Sequence, residues 1–574
     1  MENDALKAKD KYQTSVESAY DYVEHFDLLE TITNVGNDEV FTPRKTCNML
    51  LDCLPEEAWH NPNYKWLNPA TKNGIFEREI ALRLDEGLKE VIPNEEKRRK
   101  HILQNMIYAI GQTKFTSNVA RRTLYYCSEA NRKCDGIKAS DGHFVNGYAI
   151  GNGSWFDTIE GNILTPKTEH WFEGKGKNQK CKFCGISKDS KYNDELQREH
   201  YAYEFIHYDR QDLLCHFRKV FFKGDNNMKF DIIIGNPPYQ LSDGGGTGSS
   251  AKPIYQLFVE QAKKLNPKYL CMIIPSRWYS GGKGLDEFRE NMIRDRKIKI
   301  MHDYVNSKEC FPTNNIEGGV CYFLIDNDYS GKCKIFTHQQ DFTMVESERY
   351  LDEDGLFNVF VRDSKAAEIV KKVLNYKNKC FSDLVMKRNY FGQSNSKDFQ
   401  DEPFDNSIQI LGRFKNQRGI KYMPKNKLTK GLDLLEKYKV FVSKADGSAG
   451  QIGNPIPARI IGKSEFGSIN EVCSETFLAI GPFNNDNEVK NVQSYMKTKF
   501  FRFMVGARKT KNMTQSTYSF APIMDFSQEW NDKKLYEYFN LNKDEIDYIE
   551  KMIATFDDSI IDDNGSGDDD DEWC

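Results

Sequence analysis

Between residues 230 and 327 the apolar and polar positions follow two alternating periods. "FDIIIG" is a short unbroken apolar run that stops at "NPPY". After a Gly/Ser-rich loop, "LSDGGGTGSSAK", apolar residues recur at Ile254, Leu257, Phe258, Ala262 and Leu265, the spacing of a helix entered behind Pro253. "YLCMIIPS" then reads as a buried strand and "GLDEFRENMIRD" as a helix with Leu285, Phe288, Met292 and Ile293 on one face. "KIKIMHDYV" and "GGVCYFLID" read as two more strands. Strands alternating with helices in this way predict an α/β fold, a doubly wound and mainly parallel sheet with helices on both faces.

Upstream the alternation is repeated: "YKWLNPA" precedes the helical "GIFEREIALRLDEGL", and "NMIYAIGQ" precedes "FTSNVARRTLYY". Residues 127–200, rich in Gly, Lys, Asn and Asp, interrupt it as an insertion, after which "YAYEFIHYD" is expected to resume a strand. Beyond residue 330 the alternation fades into short strands, Gly/Asn turns and a last helix near "DEIDYIEKMI". A chain of 574 residues exceeds what one core supports. The plan that follows is an N-terminal helical extension (1–40), an α/β domain (41–330), a separate C-terminal α+β domain (331–555) and an acidic tail (556–574).

Charge changes the picture at the tail. The net charge is -5, but the last 19 residues hold eight Asp and one Glu with no Lys or Arg, which leaves the rest of the chain at +4. So acidic and Gly/Ser-broken a segment cannot offset its ordering entropy and is expected to be disordered. The remainder is mildly basic, compatible with a polyanionic partner. No apolar run reaches the roughly 18 residues of a membrane span, and the N-terminus lacks a signal-peptide core. With 14 cysteines, several inside expected strands, a reducing compartment is expected, hence the cytoplasm, with no membrane partner.

The stop at "NPPY" carries the chemistry. Ligands of a doubly wound sheet sit outside the carboxyl ends of its strands, where Asn236, Pro237, Pro238 and Tyr239 fall. The prolines stiffen the turn and remove donors. The carbonyl of Pro237 and the amide oxygen of Asn236 become two acceptors that can hold both hydrogens of an exocyclic amino group, while the Tyr239 ring offers a face for a base to stack on. Asn236 is no general base, since an amide has no usable proton affinity.

On these residues the chain resembles the N6-adenine DNA methyltransferases of restriction-modification systems, whose motif is D/N/S-P-P-Y/F after an apolar strand. The resemblance runs from about residue 38 to 327. It implies a Rossmann-like methyltransferase sheet, S-adenosyl-L-methionine as methyl donor, double-stranded DNA as substrate and base flipping of the target adenine. "DEVFTPRKTC" is similar to the segment beside the cofactor methionine, placing Phe41, Thr42 and Pro43 there. "WLNPATKNGIFEREI" resembles the cofactor loop through Asn68, Pro69, Ala70, Gly74 and Phe76, with Thr71 and Lys72 standing where the family has Cys and Gly. The family's ribose-binding acid is missing, and Gln112 in "YAIGQTKF" takes its position. Asp209 in "EFIHYD" matches the acid at the adenine end of the cofactor, and Phe311 in "ECFPTNN" the second aromatic face for the flipped base. The C-terminal domain is implied to read the DNA target, with Lys497, Lys499, Arg502, Arg508, Lys509 and Lys511 interleaved with aromatics as backbone contacts.

Cys127, Cys134, Cys181 and Cys184 read C-x6-C and C-x2-C, the second pair spaced as a zinc knuckle, with His170 as an alternative to Cys134. A structural zinc in the insertion is expected. Only about 40 residues precede Phe41, fewer than a nuclease needs, so methylation without cleavage is expected, with a separate restriction endonuclease as a partner. Two alternatives remain: an N4-cytosine or RNA methyltransferase on the same fold, and a catalytically silent DNA-binding subunit, motivated by Lys72 and the missing acid.

Overall fold

The computed structural model describes residues 40–126, 229–240 and, apart from short gaps, 252–559. Within 127–228 it describes chiefly 160–166, 170–176, 179–183 and 201–207. It divides into two compact units, the first comprising Met1–Trp278, Gly282–Phe288 and Asp295–Tyr350, the second chiefly Leu351–Cys574.

The first unit is built on a nine-stranded sheet of β1 (Trp66–Thr71), β2 (Ile107–Gly111), β3 (Ile163–Leu164), β4 (Ile232–Gly235), β5 (Tyr269–Pro275), β6 (Ile298–Tyr304), β7 (Val320–Asp326), β8 (Cys333–His338) and β9 (Met344–Arg349). Their order is β9-β8-β6-β7-β5-β4-β1-β2-β3. β7 runs antiparallel to β5 and β6, and β9 to β8; the other pairings are parallel. β1, β4, β5 and β7 are buried along their whole length, which is why they read as continuous apolar runs rather than alternating ones. The sheet continues past residue 330 as far as Arg349.

Helices α1 (Arg44–Leu51), α2 (Ile75–Gly87), α3 (Lys114–Arg121) and α4 (Tyr255–Lys264) belong to this unit. α3 opens with a reciprocal Thr113/Thr116 capping box. At the start of α2, Gly74 adopts φ +80°, and a Cβ there would lie 2.8 Å from the Ala120 Cα of α3, so close packing of the two helices requires glycine.

Two expectations change. "YAYEFIHYD" forms no strand: Tyr201–Ile206 is a 3-10 helix, with Phe205 stacked on Phe258 of α4 at 5.9 Å. Both edges of β1 and of β2 are already taken, the outer edge of β2 by β3, so no ladder is left for it. β3 itself comes from the insertion, so residues 127–200 are not wholly outside the sheet. Arg121 of α3 holds β3 by donating to the Ile163 carbonyl at 2.8 Å and pairing with Glu160 at 2.9 Å.

The second unit carries two three-stranded sheets. One contains β10 (Ser407–Phe414), β11 (Gln417–Pro424) and β14 (Glu471–Cys473), the other β12 (Tyr438–Ser443), β13 (Glu465–Gly467) and β15 (Phe477–Phe483). Its core is rich in aromatic rings, with Phe501 4.7 Å from Tyr495 and 4.9 Å from Phe381.

The expected run of DNA-contacting cations is corrected here. Lys497 pairs with Asp558 at 2.8 Å and Lys499 with Glu550 at 2.6 Å. Arg502 is buried and donates to the Lys497 carbonyl at 3.2 Å. Arg508 donates to the Phe357 carbonyl at 2.9 Å, and the fully buried Lys509 to the Ile460 carbonyl at 2.8 Å. Burial lowers both Arg502 and Arg508 to about 10. They keep their charge at neutral pH, but within the fold rather than facing a polyanion. Lys511 lies outside the described residues.

Candidate active site

β1 is the strand at which the chain reverses direction across the sheet: β2 and β3 lie to one side, β4 and β5 to the other. A crevice forms outside the carboxyl ends at such a switch point. Asn236 is the first residue after β4 and faces the end of β1. Gly235 lets the strands approach, because a Cβ there would lie 2.5 Å from the Asn68 Oδ1 of β1. Asn68 in turn accepts from the Ala70 amide at 3.1 Å and donates to Glu77 Oε1 at 2.8 Å.

Asn236 is 2% exposed. Its Nδ2 donates to Thr42 Oγ1 at 3.0 Å and to the Val40 carbonyl at 3.3 Å. These acceptors fix the amide's orientation and leave Oδ1 buried without a hydrogen-bond partner. The Lys72 ammonium braces the same pair of segments, donating to the Val40 carbonyl at 2.9 Å and to the Asn236 carbonyl at 3.3 Å. Lys72 is 6% exposed. The residue that departs from the family's glycine therefore ties the NPPY turn to the segment 40–42.

The Tyr239 hydroxyl is buried without a partner, and burial pushes it well above the usual tyrosine range. Its ring meets Phe311 edge-to-face, centroids 6.4 Å apart. Phe311 is 1% exposed and belongs to the core of the sheet, and α1 is tied to the turn beside it by Thr46 Oγ1, which donates to the Cys310 carbonyl at 2.7 Å. Tyr239 and Phe311 are thus adjacent, with the Phe311 faces covered. The Tyr239 carbonyl accepts from Ile254 at 3.2 Å, and Gln240 bridges to Pro253, which closes the base of the Gly/Ser loop; residues 241–251 lie outside the described residues.

Of the expected cofactor residues, Phe41, Thr42, Asn68, Ala70, Phe76 and Gln112 are buried around this crevice. Pro43 caps α1 and Gly74 caps α2. Gln112 directly follows β2, where its backbone N–H donates to the Thr71 carbonyl at 2.9 Å. Asp209 lies outside the described residues. Sequence reasoning missed Glu77, a fully buried carboxyl in the first turn of α2 whose pKa is raised by burial against opposing hydrogen bonds from its own backbone, Thr71 and Asn68. It also missed Asn73, whose buried Nδ2 has no partner. Only their place in the strand-to-helix turn could have pointed to them. Of the expected metal ligands, Cys127, Cys134 and Cys184 lie outside the described residues. Cys181 and His170 come together with His207, which the sequence reading did not include.

A parallel-sheet switch point with an NPPY turn at its edge defines a methyltransferase-type site. The comparisons agree with it. Residues 105–311 match the family model of the Eco57I restriction-modification methylase. An "uncharacterized adenine-specific methylase" of Mycoplasma pneumoniae is 46% identical over 343 residues, 59% of this chain and 79% of that protein. Among solved structures, the chain is similar to a nuclease-deletion mutant of the Type ISP restriction-modification enzyme LlaGI in complex with a DNA substrate mimic (11% identity, TM-score 0.42, 89% of this chain and 46% of that one). It is also similar to the Type IIL restriction-modification enzyme MmeI in complex with DNA (12% identity, TM-score 0.37, 83% and 63%). The chain spans about half the length of the LlaGI chain. The protein belongs to the adenine-specific methylases of restriction-modification type.

Two outcomes follow from the polar floor of the crevice. Because the folded chain raises the Glu77 pKa, stability is full below the ordinary glutamate range and falls as pH rises through the raised value. Glu77→Gln cannot ionise and should flatten that part of the profile, measured as urea midpoints between about pH 4 and pH 8. Lys72→Met, which removes two buried charge-assisted hydrogen bonds, should cost about 1–3 kcal/mol in the same unfolding measurement at neutral pH.

Proposed function

We propose that the protein transfers a methyl group from S-adenosyl-L-methionine to N6 of an adenine flipped out of duplex DNA, within a restriction-modification or similar defence system in the cytoplasm. The observation that supports this most directly is the orphaned, buried Oδ1 of Asn236. An unmade hydrogen bond of this kind costs about 1–3 kcal/mol, and an exocyclic amino group supplies the missing donor. With the Pro237 carbonyl as second acceptor, the two hold the amino hydrogens and stabilise positive charge developing on its nitrogen. Thr42 and Val40 keep the amide oriented before the base arrives, so no reorganisation is needed at the moment of transfer.

The residues around the crevice fit the cofactor in polarity: Asn73 Nδ2 is a buried donor without a partner, and Asn68, Thr71 and Gln112 are buried polar groups at the ends of β1 and β2. Phe41, Thr42, Pro43, Asn68, Ala70, Gly74, Phe76, Gln112, Asp209 and Asn236 would hold it, and when bound it supplies the electrophilic methyl. Tyr239 stacks on the flipped base; Phe311, expected from the sequence as a second aromatic face, is instead buried in the core and supports the Tyr239 ring edge-on. A structural zinc on the insertion and a separate endonuclease partner belong to the same proposal.

The second unit reads the DNA, and its hairpin β10–β11 offers a better phosphate surface than the run at 497–511. Residues 413–430 carry seven Lys or Arg and no acid; Arg418, Lys421 and Lys425 pair with Glu465, Asp401 and Glu436, while Lys415, Lys427 and Lys430 are exposed. The silent-subunit reading is favoured by one observation, the Lys72 side chain lying among the cofactor residues. No helix among the described residues is long and apolar enough to cross a membrane.

Radiolabelled methyl transfer to unmethylated genomic DNA should yield label in N6-methyladenine, and Asn236→Ala should lower the rate at least about a hundredfold, the scale of losing one preorganised charge-stabilising group. Absence of label from a wild-type protein that binds DNA would shift the reading to the silent subunit, and label in cytosine or RNA to the other alternative. Replacing Lys415, Lys427 and Lys430 together by Gln should weaken DNA binding and lower the slope of log K against log salt by about 2–3; an unchanged slope would move the phosphate contacts elsewhere.

A further inference from the structure

We infer that His170, Cys181 and His207 form a metal centre that latches the insertion onto the methyltransferase sheet. This rests on the structural-zinc reading for the identity of the ion and is independent of the methyl-transfer reading.

The three residues come from separate places and converge. His170 precedes the strand Phe172–Glu173, and Cys181 ends its antiparallel partner Lys180–Cys181, where Phe172 and Cys181 sit opposite each other. The hairpin is closed by the Lys182 amide, which donates to the Trp171 carbonyl at 2.9 Å. His207 follows the 3-10 helix Tyr201–Ile206. The Cys181 sulfur lies 3.9 Å from His207 Nε2, and one ligand atom from each residue falls within 4.8 Å of the others. With zinc–sulfur and zinc–nitrogen bonds of about 2.3 and 2.0–2.1 Å, tetrahedral donors stand roughly 3.3–3.6 Å apart, so a contraction of at most about 1.2–1.5 Å completes the geometry. The rings of His170 and His207 meet edge-on, 4.8 Å apart at 73°, which brings ring atoms together without parallel stacking. Cys181 and His207 are buried.

One thiolate and two imidazoles suit zinc, with cobalt as its spectroscopic substitute, and no carboxylate joins the group among the described residues. The consequence is mechanical. The segment ending at His207 is packed into the sheet domain through Phe205 and Phe258, so an ion shared between it and the hairpin fastens the insertion to the elements carrying the cofactor residues. Among the described residues, the partner of Cys181 is thus a histidine from beyond the insertion, His207, together with His170.

The test uses the full chain without a histidine tag. Metal analysis should find one zinc per chain, and the chelated protein should take up cobalt(II) with a thiolate charge-transfer band. Cys181→Ser and His207→Ala should each weaken zinc binding at least tenfold, whereas His207→Cys, which keeps a ligand, should retain it and shows that loss in the alanine variant is not mere misfolding. Chelation should also speed tryptic cleavage after Lys182, and zinc should reverse this. Zinc lost from Cys181→Ser but held undiminished by His207→Ala would overturn the latch and leave a cysteine-held zinc standing. No uptake of zinc or cobalt by the wild-type chain would overturn both.

Discussion

The site depends on which end of one amide is engaged. Asn236 gives its Nδ2 to Thr42 and Val40, which leaves its oxygen buried without a hydrogen-bond partner. Everything close to the turn serves that orientation. Gly235 clears Asn68 so that β4 can lie against β1, and Lys72 pins the carbonyl of Asn236 to the same Val40 carbonyl that receives the amide.

The positive charge of the chain is spent in two ways. In the second unit, Arg502, Arg508 and Lys509 are taken inside to satisfy backbone carbonyls that would otherwise be buried unpaired. Lysines 497 and 499 meet acids brought near by later segments. The β10–β11 region, with no acid of its own between residues 413 and 430, keeps several cations on the surface. A run of basic residues among aromatics is therefore weak evidence for a nucleic-acid surface, since the same pattern serves to satisfy polar groups inside the fold.

Much of the fold could be read from the apolar pattern because parallel strands buried on both faces leave long unbroken signatures. β2, β4 and β5 do so, and the antiparallel β7, buried along its whole length, does the same. Tyr201–Ile206 misled for the same reason: a short apolar run is compatible with any buried backbone, and only the occupancy of the neighbouring sheet edges excluded a strand. β3, two residues long inside a polar insertion, carried no periodic signal at all. In the candidate site, the position of Asn236 and Tyr239 was legible because an amide, two prolines and a tyrosine break an apolar run at a strand end, whereas Phe41, Thr42 and Asn68 were singled out only through the family resemblance. Glu77, Asn73 and His207 were not, since a single polar residue in a helix turn or at the end of an apolar run looks like a solvated one.

The sequence alone therefore determined the class of sheet, the place of the NPPY turn at a strand's carboxyl end and the membership of that turn in an adenine-methylase pattern, because these follow from local spacing and residue chemistry. Tertiary structure alone decided which acceptor of Asn236 is left open, that Lys72 braces the turn rather than merely obstructing a loop, that the basic run at 497–509 is internal, and that His207 joins His170 and Cys181. Most of these depend on contacts between residues far apart in the chain, 196 positions for Asn236 with Val40, 164 for Lys72 with Asn236 and 26 for Cys181 with His207, and such neighbours are set by how the elements are arranged in space, which no local pattern records.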